Sequence, residues 1–338
     1  MSFLRVRSHI HHLSCSIGVR MISTVTGDTG RVYTNGTLIR RHPQDRELDI
    51  YKAESAGQSF ILKHVSERFF LTSQQIADDF PSTKRLRVHT DVSRKESVLV
   101  YPYFRDTLLA LMKKDPEFPP PQRLKIMRAV AEAVAELHAK DWVHSDIKPD
   151  NVLVDWTEDD GKKVVTSVVL GDFDLACKLN EGESRLTRHA IGNAMWRSPE
   201  AQTGVTGRAS DVYSLGLVFC YILGAGELLL LDNYQDLLKA GITPEQEVLT
   251  RHFAYFGPVP ESLYTHIPDE AWKTALRSAA QAADLEVTER PGLRLRIWGQ
   301  QMTHLTLELL SKTNNLDPGA RPTVRQVLEH SFWDDAAK

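Results

Sequence analysis

From His144 the chain reads His144-Ser145-Asp146-Ile147-Lys148-Pro149-Asp150-Asn151. A carboxylate, an ammonium and a carboxamide fall within one short stretch. Such a set suits phosphoryl transfer, in which a protein mainly positions groups and stabilises charge. Asp146 would accept the proton of an attacking hydroxyl. Lys148 would neutralise charge on the phosphate in flight, and Asn151 would hold a metal ion. Taken alone, the same residues also describe a solvated turn, and short motifs carry a real false-positive rate.

Two further features favour the chemical reading. Val152-Leu153-Val154 follows at once and reads as a short buried strand. Further on, the apolar run Val168-Val169-Leu170 leads into Gly171-Asp172-Phe173-Asp174. Asp146 and Asn151 match a D-x-x-x-x-N loop, and Asp172 stands where a second metal-binding Asp belongs. In these motifs the sequence resembles a eukaryotic-type protein kinase, Ser/Thr-kinase-like with a divergent small lobe. The resemblance implies an α+β, two-lobed fold over residues 37–334. A small β-rich N-lobe would span about 37–102, and a larger helical C-lobe about 105–334. It also implies ATP and Mg2+ as cofactors, catalytic roles for Asp146 and Lys148, and metal binding by Asn151 and Asp172. Lys63, Pro102, Tyr103, Phe104, Asn151 and Asp172 would bind ATP. His144, Phe173, Glu200, Asp211 and Arg321 would brace the site.

Composition bounds these readings. At 338 residues, two lobes or domains are the prior. Charged residues make up 25% and hydrophobic ones 42%, as in soluble globular proteins. A net charge of -3 gives no reason to invoke nucleic acid. Cys15, Cys177 and Cys220 are few and far apart, which suggests a reducing compartment and no disulfide framework. The most apolar run, Val212 to Leu223, is shorter than the roughly 20 residues a bilayer requires, so no transmembrane segment is expected. The expectation is an intracellular monomer, cytoplasmic or nuclear, acting on a protein substrate. The first 27 residues lack Asp and Glu and carry Arg5, Arg7 and Arg20. That composition fits a disordered tail, expected over residues 1–36, and is also compatible with a mitochondrial transit peptide.

The elements that must position the site can be read in order. Thr37–Arg40 and Leu48–Ala53 read as strands. The connection Arg41 to Glu47 has no glycine, whereas the family places G-x-G-x-x-G there so that backbone amides close over phosphates. Side chains keep a loop from approaching so closely. Arg41, His42 and Arg46 either substitute electrostatically or are surface charge. Phe60-Ile61-Leu62-Lys63-His64-Val65 is an apolar strand with one lysine, in a register resembling V-A-I-K, whose lysine contacts the phosphates. The following helix offers Glu67 as the sole glutamate of residues 66–80, but the expected pairing position lies nearer Ser73 to Gln75. A strand is expected at Leu86–Thr90. Ser97 to Phe104 resembles the last small-lobe strand entering the hinge.

Pro119-Pro120-Pro121 precedes a helical period of Leu124, Met127, Val130, Val134 and Leu137. This helix would deliver the catalytic loop from a rigid support. Ser145 stands where regulated members carry an arginine that binds a loop phosphate. Asp174 replaces a glycine. Gly192 to Glu200 ends in Ser198-Pro199-Glu200, similar to A-P-E, and Asp317-Pro318-Gly319-Ala320-Arg321-Pro322 would supply Arg321 to Glu200. Asp211 reads both as a helix cap and as the residue that holds the catalytic-loop backbone. Residues 225–300 read as charged and loop-rich, with a substrate-facing helix and an insertion. The reaction expected is γ-phosphoryl transfer from ATP to protein Ser or Thr hydroxyls. The rival readings are a catalytically weak scaffold and a small-molecule kinase, since a fold does not fix a substrate.

Overall fold

The structure, a computed structural model, describes residues 22–41, 45, 48–231 and 233–335. Most of the Arg41 to Glu47 connection and residues 1–21 lie outside the described residues. The chain forms two compact units. One contains the described residues up to Ser66 with Thr90–Tyr103; the other contains Glu67–His89 and the residues from Phe104 onward.

The first unit is an antiparallel sheet of β1 (Ile22–Thr26), β2 (Val32–Arg40), β3 (Ile50–Ser55), β4 (Gln58–His64), β5 (Asp91–Ser93) and β6 (Val98–Pro102), in the order β1-β2-β3-β4-β6-β5. Alternation along β3 turns Tyr51, Ala53 and Ser55 inward, as a half-buried strand requires. Tyr51 and Ala53 join a core of Val25, Tyr33, Phe60, Leu62, Val98 and Val100, where each large apolar side chain contributes about 1.5–3 kcal/mol. The turn after β1 closes on β5 at the other end of the strand order. Asp28 N donates to Val92 O at 2.6 Å. Asp91 accepts from Thr29 Oγ1 at 2.6 Å and Tyr33 OH at 3.0 Å. A Cβ on Gly27 would fall 2.0 Å from Asp91 Oδ2, so only glycine lets this turn approach.

Two expectations are corrected here. Ordered structure begins ahead of residue 37, because β1 and the start of β2 occupy part of the expected 1–36 tail. The strand expected at Leu86–Thr90 is reduced to one parallel bridge, Leu86 to Leu170, and the edge strand lies at Asp91–Ser93 instead.

The second unit is mainly helical. Helix α1 (Glu67–Asp79) falls in it, although its sequence position lies within the expected N-lobe. Its C-terminal end is tied there: Asp79 accepts Trp142 Nε1 at 2.7 Å and pairs with Lys178 at 2.8 Å. Short β7 (Asp106–Thr107) precedes α2 (Leu108–Lys114) and α3 (Pro120–His138). Proline at its first position suits the start of α3, and Ile126, Met127, Val130, Val134 and Leu137 form its buried face. Then come β8 (Trp142–Val143) and the hairpin β9 (Val152–Asp159) with β10 (Lys162–Leu170). Asp160 and Gly161 turn the hairpin with φ of 47° and 72°, the left-handed pair that a tight hairpin turn needs. The hairpin is longer than the two short apolar runs suggest.

Strands β11 (Cys177–Lys178), β12 (Arg185–Leu186) and β13 (Val205–Thr206) and helix α4 (Pro199–Gln202) frame the next segment. Helix α5 (Arg208–Ile222) is buried from Ser210 to Ile222. It accounts for the longest apolar run, an interior helix. Residues 225–300, expected to be loop-rich, are largely helical: α6 (Gly226–Leu229), α7 (Tyr234–Lys239), α8 (Pro244–Phe256), α9 (Ser262–Thr265), α10 (Glu270–Glu289) and α11 (Leu295–Trp298). Helix α10 buries only Leu276 and Ala283, so its charged sequence hid the helix. Among the described residues, no helix is long and apolar enough to cross a membrane.

Candidate active site

The stretch His144–Asn151 leaves β8 as a loop and is held from below by α5. Asp211 Oδ2 accepts the His144 N–H at 2.8 Å, and Oδ1 accepts the Ser145 N–H at 2.9 Å. His138 Nε2 lies 3.0 Å from the same Oδ2. Asp211 is 1% exposed and sits in the first turn of α5, but the N-cap position belongs to Gly207. The loop also braces itself. The Asp146 N–H donates to His144 Nδ1 at 3.2 Å, so the ring carries its proton on Nε2 and donates it to Gly171 O at 3.1 Å. Phe173 packs on that ring, centroids 5.3 Å apart.

The result is a carboxylate fixed at both oxygens. Asp146 Oδ2 accepts Lys148 Nζ at 2.5 Å and Asn151 Nδ2 at 3.2 Å. Asp146 Oδ1 accepts the Asn193 N–H at 2.8 Å. Asn151 Nδ2 also donates to Asp146 O at 2.9 Å. The amide nitrogen of Asn151 thus faces Asp146, and its Oδ1 is the atom that could serve as an oxygen donor. The Gly171 N–H donates to Asn151 O at 2.9 Å, so the backbone ties Asn151 to the strand end that carries Asp172. Asp172 adopts φ of 67°, outside the usual region for a non-glycine residue. One carboxylate and one amide oxygen are a hard donor set. It suits Mg2+ held jointly with phosphate oxygens, not an all-protein cage.

The segment after Asp172 is packed onto this loop. Gly192 has φ of 83°, and a Cβ there would stand 2.5 Å from Ser145 O. Trp196 is 2% exposed and meets Tyr221 edge-on at 5.7 Å, whereas Met195 is only half-buried. Glu200 and Arg321 form a buried two-pronged pair at 2.6 and 2.9 Å. Burial pushes the Glu200 carboxyl up, but the Arg321 charge and hydrogen bonds outweigh it and hold the pKa below the ordinary value.

The remaining candidate residues are placed as follows. Lys63 lies on β4, half-buried, opposite Ile50 and Leu99. Pro102 ends β6, and the Tyr103 ring carries Lys52 Nζ at 4.3 Å. Phe104 opens the second unit. Glu67 is exposed in the first turn of α1, and Ser73 occupies a buried position of that helix. Asp174 is exposed. The contribution of Asn193 escaped sequence reasoning because it comes from a backbone N–H; the glycine at 192 was its signal. A cavity of about 1,400 Å3 elsewhere in the helical unit is lined by Glu132, Ser184, Arg208 and Arg325, and by none of Asp146, Lys148, Asn151 or Asp172.

Comparison with known proteins gives a consistent picture. A family model described as the protein kinase domain matches residues 60–333. The chain is 26% identical over 246 residues to a serine/threonine-protein kinase/endoribonuclease IRE1 of Oryza sativa subsp. japonica, covering 72% of this chain and 21% of that protein. It is 27% identical over 239 residues to the mouse cyclin-dependent kinase-like 5, covering 70% and 23%. It is 32% identical over 105 residues to the serine/threonine-protein kinase PrkC of Bacillus subtilis, covering 31% and 15%. The chain thus spans about a fifth of the length of these curated relatives.

Proposed function

The chain belongs to the protein kinase family, and we propose that it is an active, Mg2+- and ATP-dependent kinase that phosphorylates Ser or Thr hydroxyls of proteins. The observation that carries this reading is the Asp146 carboxylate, fixed by Lys148, Asn151 and the Asn193 N–H. A base held this way aligns a substrate hydroxyl and takes its proton as attack proceeds. Lys148, beside it, offsets charge on the transferring phosphoryl group. Asn151 and Asp172 would hold the metal, which when bound neutralises and aligns the nucleotide phosphates. Lys63, Pro102, Tyr103 and Phe104 are assigned to the nucleotide on the family resemblance. Lys148, two residues after Asp146, supports Ser/Thr over Tyr specificity, as do the names of the rice and Bacillus relatives, both serine/threonine-protein kinases.

A binding scaffold with little turnover is the second reading. It is favoured by α1, whose one glutamate, Glu67, is exposed while the buried position carries Ser73. The test is transfer of labelled γ-phosphate to a generic Ser/Thr protein substrate, beside a tyrosine substrate and a panel of small alcohols. Transfer to the first alone supports the proposal. Nucleotide binding without transfer to any of them supports the scaffold.

A further inference from the structure

One peptide unit lies between an arginine and the proposed base. The Gly192 carbonyl accepts Arg197 Nη1 at 3.0 Å, and the N–H of the same peptide, on Asn193, donates to Asp146 Oδ1 at 2.8 Å. A peptide unit is planar and stiff, so fixing its oxygen also fixes the direction of its N–H. A guanidinium on the carbonyl polarises the amide, and linked hydrogen bonds strengthen one another.

From this we infer that Arg197 is a positioning residue for Asp146, acting through the Gly192–Asn193 peptide. The inference rests on the reading of Asp146 as the base.

The surroundings fit that role. Arg197 is aimed by a second contact, Nε to Gln202 Oε1 at 2.6 Å. Its own backbone is folded back on residue 193: the Arg197 N–H donates to Asn193 O, in the next peptide, at 2.9 Å, and Asn193 Oδ1 accepts the Met195 N–H at 3.0 Å. Burial lowers the Arg197 pKa, and the Glu245 and Asp146 carboxylates oppose that shift; an arginine side chain stays protonated regardless. Gly192 lets the peptide reach the loop, since any side chain would collide with Ser145 O. Position 145 itself offers a serine whose Oγ is buried with no hydrogen-bond partner among the described residues. The tie between this segment and the catalytic loop is the Asn193 N–H on Asp146, and the cation behind that peptide, Arg197, belongs to the segment itself.

The test is a double-mutant cycle in the full chain. Steady-state rates, ATP KM and thermal melting are measured for wild type, Arg197→Met, Arg197→Lys, Asp146→Asn and the Arg197→Met/Asp146→Asn double variant. Arg197→Met is expected to lower kcat by about tenfold with ATP KM changed by less than about twofold, the pattern of a lost transition-state contribution. Arg197→Lys, which keeps the charge, recovers part of that rate. In the Asp146→Asn background, Arg197→Met removes less than about twofold more, because residues acting as a unit are non-additive. Wild-type rate in Arg197→Met beside an impaired Asp146→Asn overturns the inference and leaves the proposed function standing. Equal losses in both backgrounds overturn it too, since they indicate a general structural role. An unimpaired Asp146→Asn overturns both. If Arg197→Met melts early, Arg197→Gln, which also removes the charge, takes its place in the same cycle.

Discussion

Asp211 and Ser145 are 66 residues apart in sequence, and the Asp211 carboxylate accepts the Ser145 N–H at 2.9 Å. Ser145 has φ of 64°, a left-handed conformation that non-glycine residues seldom adopt. Asp211 thus pins the residue before Asp146 in an unfavourable geometry. Asp211→Asn replaces one acceptor with an NH2 facing backbone N–H groups. It should lower stability by about 1–3 kcal/mol, the usual penalty for a buried unpaired donor, and lower turnover without a matching loss of ATP affinity. Thermal unfolding and kcat beside nucleotide Kd check both.

Glu200 and Arg321 are almost wholly buried, with side chains 3% and 0% exposed. Arg321→Met would strand a buried carboxylate, which typically costs about 3–5 kcal/mol. Removing both charges, as Glu200→Gln with Arg321→Met, should recover part of the loss. Urea unfolding of the single and double variants measures the coupling.

His252 gives a pH dependence. It is buried against Tyr213 and Phe256, and burial lowers its pKa from 6.5 to about 3. The folded state keeps the ring neutral while the unfolded chain binds a proton below 6.5. The stabilisation is therefore complete above pH 6.5 and falls as pH drops toward about 3. The slope is about 1.4 kcal/mol per pH unit for one group. Stability of wild type minus that of His252→Phe, followed from pH 7.5 downward, should show this slope, because groups that titrate alike in both proteins cancel in the difference.

Thr187 tests regulation. Its Oγ1 lies 2.7 Å from His189 O and 3.1 Å from Gly204 O, and its N–H donates to Gly204 O at 3.0 Å. A phosphate there would carry about -1.5 to -2 charge and require basic partners, while Ser145 supplies none. The segment is held by Trp196, Gly192 and Arg197 instead. Activity is expected without loop phosphorylation. Phosphatase treatment and Thr187→Ala should each leave kcat within about twofold, while loss of the Oγ1 hydrogen bonds is read in thermal melting, at about 0.5–1.5 kcal/mol per bond.

Much of this framework is legible in the sequence because it depends on side chains in local patterns. The period of α3, the buried run of α5 and the Asp146–Asn151 spacing all stand in short windows. The Glu200–Arg321 pair is legible from two motifs read together. What sequence hid depends on backbone or distant contact. The Asn193 N–H carries no side-chain signature. The turn Gly27 to Arg31 is set by Asp91, far along the chain. Helix α10 is too exposed for a strong apolar stripe. The Asp160-Gly161 hairpin signal was present, but two short apolar runs give no measure of the strands' full length.

The central claim is that Asp146 is the base of a working phosphoryl-transfer site. The measurement is Mg2+-dependent phosphate transfer from ATP by the full chain and by Asp146→Asn, with nucleotide Kd determined for both. The account predicts transfer by wild type, a kcat lower by about 10² to 10⁴ in Asp146→Asn as for loss of a general base, and nearly unchanged nucleotide affinity. Equal turnover by the two proteins, or no transfer by wild type under any magnesium concentration, would contradict it.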